Sequence, residues 1–301
     1  MEIEISHNKK HIFILGAGSS KDYCMPTWNE LSEKVTNYIK QDTDNKYKYK
    51  SEIHDWLKML SDNKYLTIDE CISNESVNFR DKGDEIENEI FTIFKDIFIE
   101  SYKPNNEGWI KILNIKILQK YNLEDSLFFI NYNYDQVLED KLLNFEFLSS
   151  KETRHTYRER ISPLSTYKNY INALYPHGNL FTKNDFQDGS KLRKIIKTIK
   201  TGDEVHHDAI SCHDSKYYTF TITPFDNTDR ELYILGLGGG LKVNLEKLGF
   251  DEINVSNIHI TITDPKDDNE IIGFLCNKFL VESDKVKVYR NCVDLINSVV
   301  F

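Results

Sequence analysis

Lys9-Lys10-His11-Ile12-Phe13-Ile14-Leu15-Gly16-Ala17-Gly18-Ser19-Ser20, running on to Leu31 as KDYCMPTWNEL, is the stretch that decides the fold. Ile12 to Leu15 is a short apolar run that stops at Gly16-Ala17-Gly18. That is the pattern of a buried parallel strand feeding a tight glycine turn. After Ser19 and Ser20 comes a polar loop, then Pro26-Thr27. Thr27 is placed to cap a helix beginning at Trp28, with Glu30 in its first turn. A strand, a glycine turn and free backbone N–H groups together suit a phosphate, because small residues let the backbone approach an anion closely. Lys21 stands where a dinucleotide fingerprint has its third glycine, and paired glycines also serve turns that only need to pack tightly.

Outward from this stretch, Trp28 to Tyr38 reads as an amphipathic helix, and residues 40–50 as a polar loop. Residues 51–121 are helical almost throughout: Ile53, Trp56, Leu57 and Leu60 keep helical spacing, as do Ile86, Ile90, Ile93, Phe94 and Ile97. This block is expected as a helical insertion or subdomain after the first βα unit. Strands follow at Ser126–Tyr132, Phe145–Leu148 and Ile171–Tyr175, with a helix at Gln136–Leu143. Residues 179–228 are expected as a smaller mixed insertion, with a β-rich piece at Tyr217–Thr223. The last part alternates regularly: strands at Leu232–Leu235, Ile258–Thr263 and Val286–Tyr289, helices at Leu241–Leu248, Asp268–Val281 and Cys292–Val299. Strands alternating with helices predict one α/β domain over residues 1–301, a Rossmann-like doubly wound parallel sheet. Such sheets bind ligands beyond the carboxyl ends of their strands.

Bulk composition narrows the function classes. A net charge of −10 argues against a broad nucleic-acid or membrane surface. The basic run Lys191, Arg193, Lys194, Lys197 and Lys200 has the spacing of a solvated helix face. No apolar segment is long enough to span a bilayer, and MEIEISHNKK lacks a signal-peptide core. Five scattered cysteines, Cys24, Cys71, Cys212, Cys276 and Cys292, give neither a disulfide framework nor a paired-thiolate metal site. The expectation is a cytoplasmic protein without a bound metal.

Every unusual short motif sits at an expected strand end: Gly16 to Ser20, Asn131-Tyr132-Asn133-Tyr134-Asp135, Pro176-His177-Gly178-Asn179, Gly236 to Gly240, and Asp264. Together they supply phosphate-binding backbone, amide and carboxylate side chains, one imidazole, and an acid suited to a ribose hydroxyl. Those parts fit a dinucleotide and one general base. Each also has a plainer reading. Asp135 suits a helix cap, His177 a turn, the Gly236 run close helix packing, and Asp264 before Pro265 a turn initiator.

These motifs resemble those of the sirtuins. GAGSSKDYCMPTW is similar to the sirtuin opening motif Gly-Ala-Gly-X-Ser, with Gly16 through Ser20, Pro26 and Trp28 in step. NYNYD resembles the Gln-Asn-X-Asp motif, with Asn133 and Asp135 on its polar positions, and Pro176-His177-Gly178 resembles the family's His-Gly. Sirtuin deacylases carry paired cysteines that hold a structural zinc in the interval where this chain has only Cys212. Thr27 replaces the acid after the loop proline, and Asn29 the arginine that follows. Without the zinc lobe and with a helical block after the first motif, the chain is more similar to SIR2-like domains of bacterial anti-phage defence. AbiH-like abortive-infection proteins are a neighbouring possibility.

The resemblance implies NAD⁺ as substrate and cleavage of its nicotinamide–ribose bond. It implies His177 as general base, Asn133 orienting water or ribose, Asp135 with Ser20 at the carboxamide, and Gly16, Ala17, Gly18, Ser19, Thr27, Trp28, Gly236, Gly238 and Asp264 around the dinucleotide. It also implies control by homo-oligomer formation or a trigger protein in trans. The competing expectations are a non-catalytic NAD or ADP-ribose sensor, a protein deacylase or ADP-ribosyltransferase, and a Rossmann-like domain for another nucleotide.

Overall fold

A computed structural model of the chain describes residues 2–5, 10–43, 45–62, 71, 82–103, 106–120, 123, 126–135, 137–142, 146–148, 170–174, 220–224, 228–249 and 254–301. Its strands are β1 (Glu2–Ile5), β2 (His11–Leu15), β3 (Leu127–Asn131), β4 (Glu146–Leu148), β5 (Tyr170–Leu174), β6 (Phe220–Pro224), β7 (Arg230–Leu235), β8 (Leu248–Gly249), β9 (Val255–Thr261) and β10 (Val286–Tyr289). The α-helices are α1 (Trp28–Gln41), α2 (Lys50–Ser61), α3 (Gly83–Ser101), α4 (Trp109–Gln119), α5 (Val137–Lys141), α6 (Leu241–Lys247), α7 (Asp268–Phe279) and α8 (Cys292–Ser298).

Seven strands build one all-parallel sheet in the order β10-β9-β7-β2-β3-β5-β4, the α/β Rossmann-like architecture expected. β2 lies at the centre because its HIFIL run is apolar on both faces and buried from Ile12 onward. The pleat then sorts the side chains. Phe13, Leu15, Leu127, Phe129, Tyr233 and Leu235 enter one core, whereas Ile12, Ile14, Phe128, Ile130, Leu232 and Ile234 enter the other. The helices of the 51–121 block cover the first face with α1 and α8, through Trp56, Phe94, Trp109 and Leu295. α6 and α7 cover the second face, through Leu241, Leu245, Leu275 and Phe279.

Helices that follow β2 and β3 therefore lie on one face, and those that follow β7 and β9 on the other. The reversal falls between β2 and β7, which is the topological switch point. Two corrections concern smaller elements. A separate three-stranded parallel sheet, β1-β6-β8, was not expected. β1 is a four-residue alternation, and β8 has only two residues, too short for a periodicity to register.

Parallel register also lines up rings across the first face. Phe13 stacks on Phe129 with centroids 5.0 Å apart and on Tyr233 at 4.6 Å, and Tyr233 stacks on His259 at 5.1 Å. Burial holds His11, at the bottom of this row, down to a pKa of about 4. Phe13 is the hub of the row and has no exposed surface. Phe13→Ala is expected to cost about 3–5 kcal/mol in urea unfolding. Leu118→Ser, at a site 76% exposed, should stay within about 0.5 kcal/mol.

Candidate functional site

Where β2 and β7 end, two glycine loops close on each other. Backbone bonds carry the contact past the strands: Gly16 N–H donates to Leu235 O at 2.8 Å, and Gly18 N–H to Gly236 O at 2.9 Å. No side chain fits between them. A Cβ on Gly16 would lie 2.7 Å from Gly236 O, and one on Gly18 2.9 Å from Gly236 Cα. Gly236 sits at φ +68°, and a Cβ there would fall 2.1 Å from Ser19 N. Thr261, from the end of β9, accepts the Gly236 N–H at 2.8 Å on Oγ1. By contrast a Cβ on Gly238, at φ +52°, would meet nothing within 4 Å among the described residues.

The turn Ala17–Tyr23 that follows β2 brings Ser19 and Ser20 over the end of β3. There, Asn133 Nδ2 donates to Ser19 Oγ and to Ser20 Oγ, each at 3.1 Å. Ser20 Oγ donates in turn to Asp135 Oδ1 at 3.1 Å, and Val137 N–H donates to the same oxygen at 3.0 Å. Ser19, Ser20, Asn133 and Asp135 are each 5% exposed or less. Burial pushes the Asp135 carboxyl up to about 6, against the opposing pull of the Val137 and Ser20 bonds. Asp135 thus accepts the first N–H of α5 and is a buried acid whose pKa burial raises.

Two polar atoms in this turn have no partner among the described residues: Asn133 Oδ1, an acceptor, and Asn131 Nδ2, a donor. Asn131 Oδ1 accepts the Asn133 N–H at 3.1 Å, and Asn131 pairs in register with Leu15, directly below the glycine turn. An unpaired buried donor or acceptor costs about 1–3 kcal/mol, so a polar ligand or a further polar group has something to satisfy there.

The structure thus brings together Gly16, Ala17, Gly18, Ser19, Ser20, Asn133, Asp135 and Gly236. Thr27 gives both its N–H and its hydroxyl to Glu30 Oε2, at 2.7 and 2.8 Å, which closes the start of α1. Trp28 opens that helix. Asp264 Oδ1 accepts the Lys266 N–H at 3.0 Å, so this acid initiates the turn after β9. His177 lies outside the described residues, as do Cys212, the basic run from Lys191 and most of the 179–228 segment. The strand leading toward His177 is β5, whose Leu174 pairs with Ile130 of β3, next to Asn131.

Sequence reading did not single out Trp109, Thr261 or the unpaired amide of Asn131. Asn131 was legible as the first of three alternating polar residues at a strand end. Trp109 carried no signal beyond an apolar position on a helix. Among the described residues no helix is long and apolar enough to cross a membrane, and no three His, Cys, Asp or Glu side chains are grouped for a metal ion. The chain matches no family model and no curated protein sequence.

Two outcomes follow from this geometry. Gly236→Ala should cost more than about 3 kcal/mol or prevent folding, while Gly238→Ala should cost only the about 1–2 kcal/mol of a left-handed L-residue, both measured by urea unfolding. Asp135 has a folded pKa above its unfolded value, so the folded chain holds the extra proton between about pH 4 and 6. Its contribution is fully present below that window and is lost as pH rises through it, by about 3 kcal/mol in all. Asp135→Asn should remove that fall from a series of unfolding curves taken from pH 4 to 8.

Proposed function

We propose that this chain cleaves the nicotinamide–ribose bond of NAD⁺, giving nicotinamide and ADP-ribose, in the manner of SIR2-like effectors of anti-phage defence. The observation that carries the reading is Ser20 Oγ, buried between Asn133 and Asp135, which lie 113 and 115 residues away in sequence. This contact stands beside the glycine crevice at the switch point, where a doubly wound sheet takes its ligand. The unpaired Asn133 Oδ1 and Asn131 Nδ2 suit a polar guest, and the open backbone at Gly238 leaves room for the adenosine half.

In the reaction the C1′–N bond breaks with its electron pair passing to the pyridine nitrogen, which leaves as neutral nicotinamide. Charge gathers on the ribose ring, as in glycoside hydrolysis, and water adds to C1′ and loses a proton. Covalent work by the protein is small, so positioning dominates. Asn133 orients the water or a ribose hydroxyl, Asp135 with Ser20 holds the carboxamide, and His177 takes the proton. An enzyme of this kind is held off until self-assembly or a trigger protein releases it.

Purified protein is incubated with NAD⁺ over a range of protein concentrations, and nicotinamide and ADP-ribose are followed by chromatography. Release is expected from the wild type, with His177→Ala and Asn133→Ala each slower by about 10²–10⁴-fold. Both variants turning over at the wild-type rate would overturn the assignment. Tight binding of NAD⁺ without nicotinamide release would make the chain a sensor instead, and label transferred to a protein acceptor would make it a transferase.

A further inference from the structure

The helical layer does more than cover the sheet, because Lys103, Asn106, Gly108 and Trp109, at the facing ends of α3 and α4, hold the glycine turn. Trp109, 1% exposed at the start of α4, donates its indole Nε1–H to Ser19 O at 2.7 Å. The Trp109 backbone N–H reaches Asp22 Oδ2 at 3.4 Å. Asn106 Nδ2 donates to Asp22 O at 3.1 Å and to Cys24 Sγ at 3.3 Å, and Lys103 N–H donates to Tyr23 O at 3.0 Å. Gly108 is pressed so close that a Cβ there would lie 2.7 Å from Asp22 Cβ.

These bonds act on the residue that matters. A peptide unit is planar, so the direction of the Ser19 carbonyl fixes the direction of the Ser20 N–H. The Ser20 carbonyl is fixed in its turn by the Met25 N–H, at 3.3 Å. With both flanking peptides held, the Ser20 Cα–Cβ bond has a fixed direction, and the bonds to Asn133 and Asp135 select the rotamer that places Oγ between them. The turn also ends in a conformation that needs holding: Cys24 sits at φ +63°, a region L-residues leave unless their surroundings determine it. Sequence neighbours of Ser20 supply none of the three restraints at Ser19 O, Asp22 O and Tyr23 O. All come from Lys103, Asn106 and Trp109.

We propose that Lys103, Asn106, Gly108 and Trp109 form a clamp that seats Ser20 in the candidate site, with Trp109 as its positioning residue. Its bearing on turnover rests on the hydrolase reading above; the seating itself does not.

Trp109→Phe tests this. It keeps a ring beside Phe13, on which Trp109 stacks with centroids 6.4 Å apart, and deletes the N–H. Backbone hydrogen–deuterium exchange of the full chain is compared with the wild type by mass spectrometry, alongside nicotinamide release. Exchange across residues 16–25 should quicken about tenfold while residues 127–131 and 230–235 keep their rates. The kcat should fall about ten- to a hundredfold with KM little changed. A merely structural tryptophan would quicken exchange in all three segments together, and that result would overturn the clamp. Unchanged exchange over residues 16–25 would overturn it too, as would a local increase with full kcat. If exchange quickens locally but the wild type releases no nicotinamide, the clamp stands and the hydrolase reading falls. Should Trp109→Phe fail to fold, exposed Asn106→Ala carries the same comparison.

Discussion

A side chain at position 236 would need the space that the Ser19 backbone nitrogen occupies, and the rest of the site depends on that fact. The chain leaves β2 toward one face of the sheet and leaves β7 toward the other, so the two strand ends diverge. Glycine at 16, 18 and 236 lets the backbones stay bonded beyond the strands before they part. Ser19 and Ser20 are thereby delivered above β3 at a fixed height. There Asn133 and Asp135, on the bend that follows β3, reach them. Exclusion of side chains thus sets the geometry first.

Stability and chemistry are separated along the strands. Below the glycine turn, Phe129, Phe13, Tyr233 and His259 form a continuous aromatic row whose members are all buried. Near the foot of that row the polar groups pair with one another. The Tyr233 hydroxyl donates to Glu231, and His11 Nδ1 lies 3.1 Å from the same hydroxyl. Above the turn the pattern changes: an amide acceptor and an amide donor without partners among the described residues stand close to a desolvated acid. Local instability of that kind persists where a well-packed scaffold below determines the positions above it.

Periodicity made most of this scaffold legible. Val286–Tyr289 was bounded to the residue, and β2, β3, β7, β9 and the helices after them fell within a few residues of where their apolar spacing put them. Strand ends were legible as well, because glycine, asparagine and aspartate mark them for reasons of turn chemistry. That same chemistry is why Thr27 and Asp264 read equally as ligands and as caps, and their hydrogen bonds go to Glu30 and Lys266. What the helices of residues 51–121 would cover was not legible. An amphipathic face records that it is buried, not by what. Trp109 escaped for that reason: its ring answers to the core and its N–H to the glycine turn, and no spacing could report the second.

Asp135 distinguishes a functional reading of the cluster from a structural one. As the cap of α5 it needs only one oxygen to accept the Val137 N–H and the Ser20 hydroxyl. Asparagine or serine would supply that oxygen without a charge to bury. An aspartate in the same place is costly whenever it ionises, because burial disfavours the charge and raises its pKa. A group that weakens the fold at neutral pH, where a neutral cap would serve, is what a site built for proton exchange or charge recognition contains. Among the described residues the amide oxygen of Asn133 also lacks a partner, which leaves it open to a polar group. Both features sit on the turn that β3 presents to Ser20, so the departures from good packing coincide with the place where the topology of the sheet admits a ligand.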